Sequence, residues 1–157
     1  MTRILIVDDN PKMLKILRQT LGENPDWSVC GEASDGLEAV SKAAELLPDI
    51  VILDLTMPKL NGLQAGSAIH VAAPKIPLLL FTQHSVNAAL ENEARKSGFS
   101  GGVSKGSLIS LIVGIEALLR GETCFPSKLP LAPETGTAQP AESPAPITTD
   151  DAPDEAP

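Results

Sequence analysis

Short continuous apolar runs alternate along this chain with longer stretches in which apolar residues recur every three or four positions. The runs Ile4-Leu5-Ile6-Val7, Ile50-Val51-Ile52-Leu53 and Leu78-Leu79-Leu80-Phe81 contain no polar interruption. Strands of that kind are buried on both faces, so these three predict the centre of a parallel sheet covered by helices. Strands are expected at Arg3 to Val7, Trp27 to Glu32, Asp49 to Leu53, Ile76 to Phe81 and Gly101 to Ser104. Between the first two, Met13, Leu14, Leu17 and Leu21 keep helical spacing, with Asn10 as cap, Pro11 in the first turn and Gly22 as stop. Further helices are expected over Asp35 to Leu47, Gly62 to about Val71, Ser85 to Ser97 and Ser107 to Arg120. After Gly121 the pattern fades. The boundary drawn from pattern alone is a domain over 1–122 and a tail over 123–157.

Charge sharpens that division. From Leu129 onward the chain has six acids, seven of its 14 prolines and no Lys or Arg. Such a composition buries too little apolar surface to offset the entropy of ordering, so a disordered tail is expected. Without it the chain has 14 acids and 12 bases, so most of the formal charge of −8 belongs to the tail. A nearly neutral body carries no basic stripe for a phosphate backbone, and direct nucleic-acid binding is not expected. No apolar run approaches the roughly 20 residues of a membrane helix. Cys30 and Cys124 stand far apart with no metal-ligand spacing, which suits unpaired thiols and a reducing cytoplasm.

Open parallel α/β sheets bind ligands beyond the carboxyl ends of their strands. The residues at those ends are unusual here: Asp8 and Asp9 after the first strand, Asp54 after the third, Thr82 after the fourth and Lys105 after the fifth. Carboxylates gathered together repel one another unless a cation offsets their charge, and a hard divalent ion suits carboxylate and carbonyl oxygens. Mg²⁺ is therefore the expected cofactor. An aspartate beside it is a candidate nucleophile toward phosphorus, with Thr82 and Lys105 to hold phosphoryl oxygens. Taken singly, Asp8 or Asp9 also reads as a helix cap, and Lys105 as a solvated lysine before a helix; capping does not account for the whole set.

The motifs Ile6-Val7-Asp8-Asp9-Asn10, Leu53-Asp54-Leu55-Thr56-Met57-Pro58, Asn61-Gly62, Phe81-Thr82 and Ser104-Lys105 together resemble the response-regulator receiver domain of two-component signalling. The resemblance runs from about Arg3 to Gly121 and is nearest the receivers of LuxR-type regulators, without their helix-turn-helix. It implies a flavodoxin-like fold of five β/α pairs with strand order 2-1-3-4-5. It also implies phosphorylation of Asp54 by a histidine kinase or phosphotransfer protein, followed by self-catalysed hydrolysis. Carried over by position, Asp9 is a direct metal ligand, Asp8 a ligand largely through water, and Asp54 and the backbone carbonyl of Thr56 complete the set. Beyond self-catalysed phosphorylation and dephosphorylation, no enzymatic activity is implied, and output through an unidentified downstream protein is expected.

Some positions depart from the family. The ring that receivers usually carry three residues before the lysine is replaced by Gly102, while Phe99 stands three residues earlier. Gln83 occupies a position that is commonly Ala or Gly. His84, two residues beyond Thr82, is placed to affect water access; His70 and Trp27 read as surface and core residues. Four alternatives to a stand-alone phosphoacceptor follow: a phosphorylation-independent interaction module, the receiver part of a shortened transcription regulator, a flavin-binding protein of the flavodoxin type, whose phosphate-cradling Ser, Thr and Gly the first loop lacks, and a phosphatase of the haloacid dehalogenase type. The last wants a second acid where Thr56 stands.

Overall fold

The computed structural model describes residues 1–126. The acidic tail lies outside the described residues. Within them five strands alternate with five helices: β1 (Thr2–Val7), α1 (Pro11–Gly22), β2 (Trp27–Ala33), α2 (Gly36–Leu46), β3 (Ile50–Leu53), α3 (Gly62–Ala72), β4 (Leu78–Thr82), α4 (Ala88–Lys96), β5 (Gly101–Ser104) and α5 (Leu108–Leu119). All strand pairs are parallel and the order is β2-β1-β3-β4-β5, as the resemblance implied.

The three continuous apolar runs occupy the three central strands, and every residue of β3 and β4 is buried. Successive side chains of a strand point to opposite faces. Leu5, Val7, Val51, Leu53, Leu78 and Leu80 accordingly share one core with Ala39 and Ala43 of α2, Ala65 and Ile69 of α3 and Ala94 of α4. The alternate positions Ile4, Ile6, Ile50, Ile52, Leu79 and Phe81 are buried as well.

Local chemistry sets the helix starts. Asn10, Asp35, Asn61, Asn87 and Ser107 each accept a backbone N–H at a helix N-terminus, and Asn61 with Gln64 forms a reciprocal capping box. α4 begins at Ala88 rather than at Ser85, because Asn87 takes the cap and leaves residues 83–87 as a loop. Trp27 is buried at the start of the edge strand β2.

The described fold continues past the pattern-based boundary at residue 122. Cys124 forms a parallel bridge to Gly101, donating its N–H to Ser100 O and accepting that of Gly102. The side chain of Phe125 is fully buried in the same core as Leu80 and Ala94. Two ordinary-looking residues after the last helix thus cover part of the β5 edge. Periodicity does not register so short a segment.

Candidate phosphoacceptor site

Parallel pairing brings the strand ends into line. Val7 pairs with Leu53 and Thr82 with Ser104, so the residues that follow each strand emerge on one edge of the sheet. Asp54 continues β3 and donates its N–H to Val7 O at 2.9 Å, while Asp8 donates its own to Ala33 O at 3.0 Å. Both acids are therefore fixed by the sheet itself.

Beyond Asp54 the chain turns back on itself. Gly62 donates its N–H to Leu55 O at 2.7 Å, and a Cβ at this glycine would stand 2.1 Å from the Asp54 carbonyl oxygen. No side chain fits there, which gives the Asn61-Gly62 motif a physical reason: α3 begins against the backbone of the acid it helps to place. On the other side Lys105 donates its N–H to Thr82 O at 2.8 Å, tying the last strand end to the fourth.

These residues meet in a cleft lined by Asp8, Asp9, Asp54, Thr56, Thr82 and Lys105, with Asn10, Gln83 and His84 at its margin. One carboxylate oxygen from each of Asp8, Asp9 and Asp54 lies within 4.8 Å of the other two. The Lys105 ammonium reaches into the group, 2.5 Å from Asp8 Oδ2 and 3.2 Å from Asp54 Oδ1. Asp8 and Asp54 are buried, Asp9 is exposed, and the Lys105 side chain is only 8% exposed. The reading of Lys105 as a solvated surface lysine does not survive this geometry.

Neither does capping explain the acids. Asn10 caps α1 through its side chain, and Asp8 instead accepts the Asn10 N–H at 2.9 Å while facing Lys105. Three acids against one ammonium leave the cleft net negative. The consequence is visible at Asp54, whose carboxyl is pushed above the usual carboxylate range by burial first, then by Asp8 and more weakly by Asp9, with Lys105 opposing. A site of clustered oxygens with uncompensated negative charge fits a hard divalent cation.

Thr82 is fully buried, and its hydroxyl oxygen accepts the His84 N–H at 3.1 Å. The His84 ring lines the same cleft, with Nε2 3.3 Å from Thr56 Oγ1. His70 is elsewhere: it packs on Gly98 and lines a separate cleft with Lys75 and Ser100. Every residue singled out for the site from its strand-end position is thus in this cleft. What sequence reading missed is the Thr56–His84 contact, which joins two loops 28 residues apart and leaves no periodic or motif signal.

Residues 4–114 match the family model described as the response regulator receiver domain. The chain belongs to the response regulator receiver family. Among solved structures, a LuxR-family two-component response regulator from Aurantimonas sp. SI85-9A1 is 36% identical, with a TM-score of 0.75 over 79% of this chain and 89% of that one. The response regulator domain of Thermotoga maritima CheB is 35% identical, with a TM-score of 0.67 over 77% and 95%. A protein-glutamate methylesterase/protein-glutamine glutaminase of Thermotoga maritima is 41% identical over 96 residues, which are 61% of this chain and 28% of that protein. This receiver chain thus spans about a quarter to two-fifths of the curated relatives it matches. Among the described residues no helix is long and apolar enough to cross a membrane.

Proposed function

We propose that this receiver accepts a phosphoryl group on Asp54 from a histidine kinase or phosphotransfer protein in the cytoplasm. We read it as a stand-alone module that signals through contact with a downstream protein. The observation that carries the reading is the joint placement of Asp54 with Asp8, Asp9 and Lys105 in one cleft. A carboxylate oxygen of Asp54 attacks phosphorus, the bond from phosphorus to the donor's leaving group breaks, and an acyl phosphate remains. Asp8, Asp9, Asp54 and the backbone carbonyl of Thr56 would hold Mg²⁺, which supplies positive charge to the transferring phosphoryl oxygens. Lys105 balances charge at Asp8 and Asp54 before transfer and is placed to take a phosphoryl oxygen afterwards. Thr82 offers its hydroxyl proton to another, since its oxygen already accepts from His84.

Incubation of the full chain with Mg²⁺ and acetyl phosphate, followed by intact-mass measurement, tests this. One added phosphoryl mass is expected on the wild type and none on Asp54→Asn. Absence of the adduct on wild type would overturn the acceptor reading.

A second reading, a module that binds its partner whatever the state of Asp54, is favoured by one observation. Position 102 is glycine and carries no ring of its own to repack. Equal partner affinity for wild type with and without the adduct would establish that reading instead.

A further inference from the structure

The place beside Gly102 is not vacant of aromatic character. A Cβ at Gly102 would stand 3.4 Å from Phe125 Cε1, 3.5 Å from Phe125 Cδ1 and 3.4 Å from Val86 Cγ1. The ring of Phe125 therefore lies against the β5 backbone where a side chain at 102 would begin. It is fully buried, with the Arg95 guanidinium over its face at 4.4 Å to the centroid. The other nearby phenylalanine is committed elsewhere. A Cβ at Gly66 would stand 2.3 Å from Phe99 Cε1, so Phe99 is packed flush on α3.

Two backbone hydrogen bonds, both 2.9 Å, seat the segment that brings Phe125 in: Gly102 N–H to Cys124 O and Cys124 N–H to Ser100 O. Val86 belongs to the loop of residues 83–87, which begins at Thr82 and is tied to it by the His84 N–H bond to Thr82 Oγ1. A path thus runs from the cleft through Thr82 and the loop to Val86, which packs on the core containing Phe125 and flanks the same point over Gly102 as its ring.

We propose that residues 123–126 form a strap whose seat on β5 and α4 is linked, through Val86, to the state of Asp54. The proposal rests on the acceptor reading above. Drawing the Thr82 hydroxyl toward a phosphoryl oxygen pulls the loop with it and withdraws Val86 from the core that holds the ring. Phe125 then loses packing on one side, and the strap loosens. Linkage requires the converse: weakening the strap favours the phosphorylated form.

Hydrogen exchange of the full chain, read by mass spectrometry alongside the intact mass, tests the link. With Mg²⁺ and acetyl phosphate, amide exchange over 123–125 and at Gly102 is expected to speed up by about fivefold or more in the adduct-bearing protein. Asp54→Asn under the same reagents should show no change. Val86→Ala, at a half-buried loop position outside the cleft, should still take the adduct while its exchange response falls to less than about half that of wild type. Phe125→Leu, which keeps an apolar side chain, should gain the adduct faster than wild type. Unchanged or slower exchange over the strap in protein that carries the phosphoryl mass would overturn the link and leave the acceptor reading intact. Absence of the mass on wild type would overturn both.

Discussion

At the carboxyl ends of β1 and β3, three acids converge within 4.8 Å around one ammonium group; at the β5 edge, a fully buried ring lies on a glycine. The cleft concentrates charge of one sign and is held by strands that cannot move apart without breaking the sheet. The β5 edge is held by apolar contact, the Arg95 guanidinium over the Phe125 ring and two hydrogen bonds from the segment that follows α5. The first region stores electrostatic repulsion in a rigid frame, so binding a cation or changing the charge of Asp54 has a large local effect. The second gathers no cluster of like charge, Arg95 over the ring being paired with Glu91, and it changes when its neighbours move. A chemical event in one region can be read out in the other because the loop of residues 83–87 touches both.

Removing the ring is the most damaging way to break this comparison. Phe125→Ala is expected to destabilise the protein by about 3 kcal/mol, measured by urea unfolding, because a fully buried phenylalanine leaves a cavity. Placing a ring on the strand instead sharpens the point. Gly102→Phe alone should cost about 2 kcal/mol through overpacking, and combined with Phe125→Ala the loss should be smaller than the sum by about 1 kcal/mol. Strict additivity would mean that the two positions do not share one space.

The cleft should respond to the loss of its ammonium. Lys105→Met is expected to lower the stability of chelator-treated protein by about 2 kcal/mol, less than a fully buried pair would cost because the cleft is open to water. Added Mg²⁺ should recover part of the loss. No recovery would show that the acids do not gather a cation.

Charge removal at the acceptor should act in the opposite direction. The Asp54 carboxyl is raised above its ordinary range in the fold, so its ionised form opposes folding at neutral pH. That opposition fades as pH falls through the folded value and is gone below the unfolded one. Asp54→Asn is therefore expected to stabilise metal-free protein by about 1 kcal/mol at pH 7, with the advantage vanishing below the usual carboxylate range. Denaturation curves of both proteins across pH measure it; an advantage that grows on acidification contradicts the sign.

The smallest effect is expected at the cleft mouth. The His84 ring stands beside Thr56; for a side chain that shields the acyl phosphate from water, His84→Ala should speed loss of the phosphoryl group by roughly threefold, a barrier change below about 1 kcal/mol. An unchanged rate in a time course of intact mass would remove His84 from the account.

The parallel sheet and the acids at its strand ends were legible because each rests on a signal that stays local, whereas the strand order came only with the family resemblance. Ile4 to Val7 and Ile50 to Leu53 announce central strands by lacking polar residues, and the residue after such a run must stand at a strand end. Asp8, Asp9, Asp54, Thr82 and Lys105 needed no knowledge of side-chain packing to be placed on one edge. The helix start at Ala88 was less legible, since Ser85 and Asn87 are both acceptable caps and only the loop path decides between them.

The sequence by itself determined which chemical groups the sheet edge would carry, because strand direction and strand order convert position in the chain into position in space. Tertiary structure decided how those groups are paired. That Lys105 bridges Asp8 and Asp54, that His84 meets Thr56, and that Phe125 fills the space Gly102 leaves are contacts between segments 97, 51, 28 and 23 residues apart. No periodicity or motif spans such separations; only close packing, in which one side chain's volume sets another's place, brings them together.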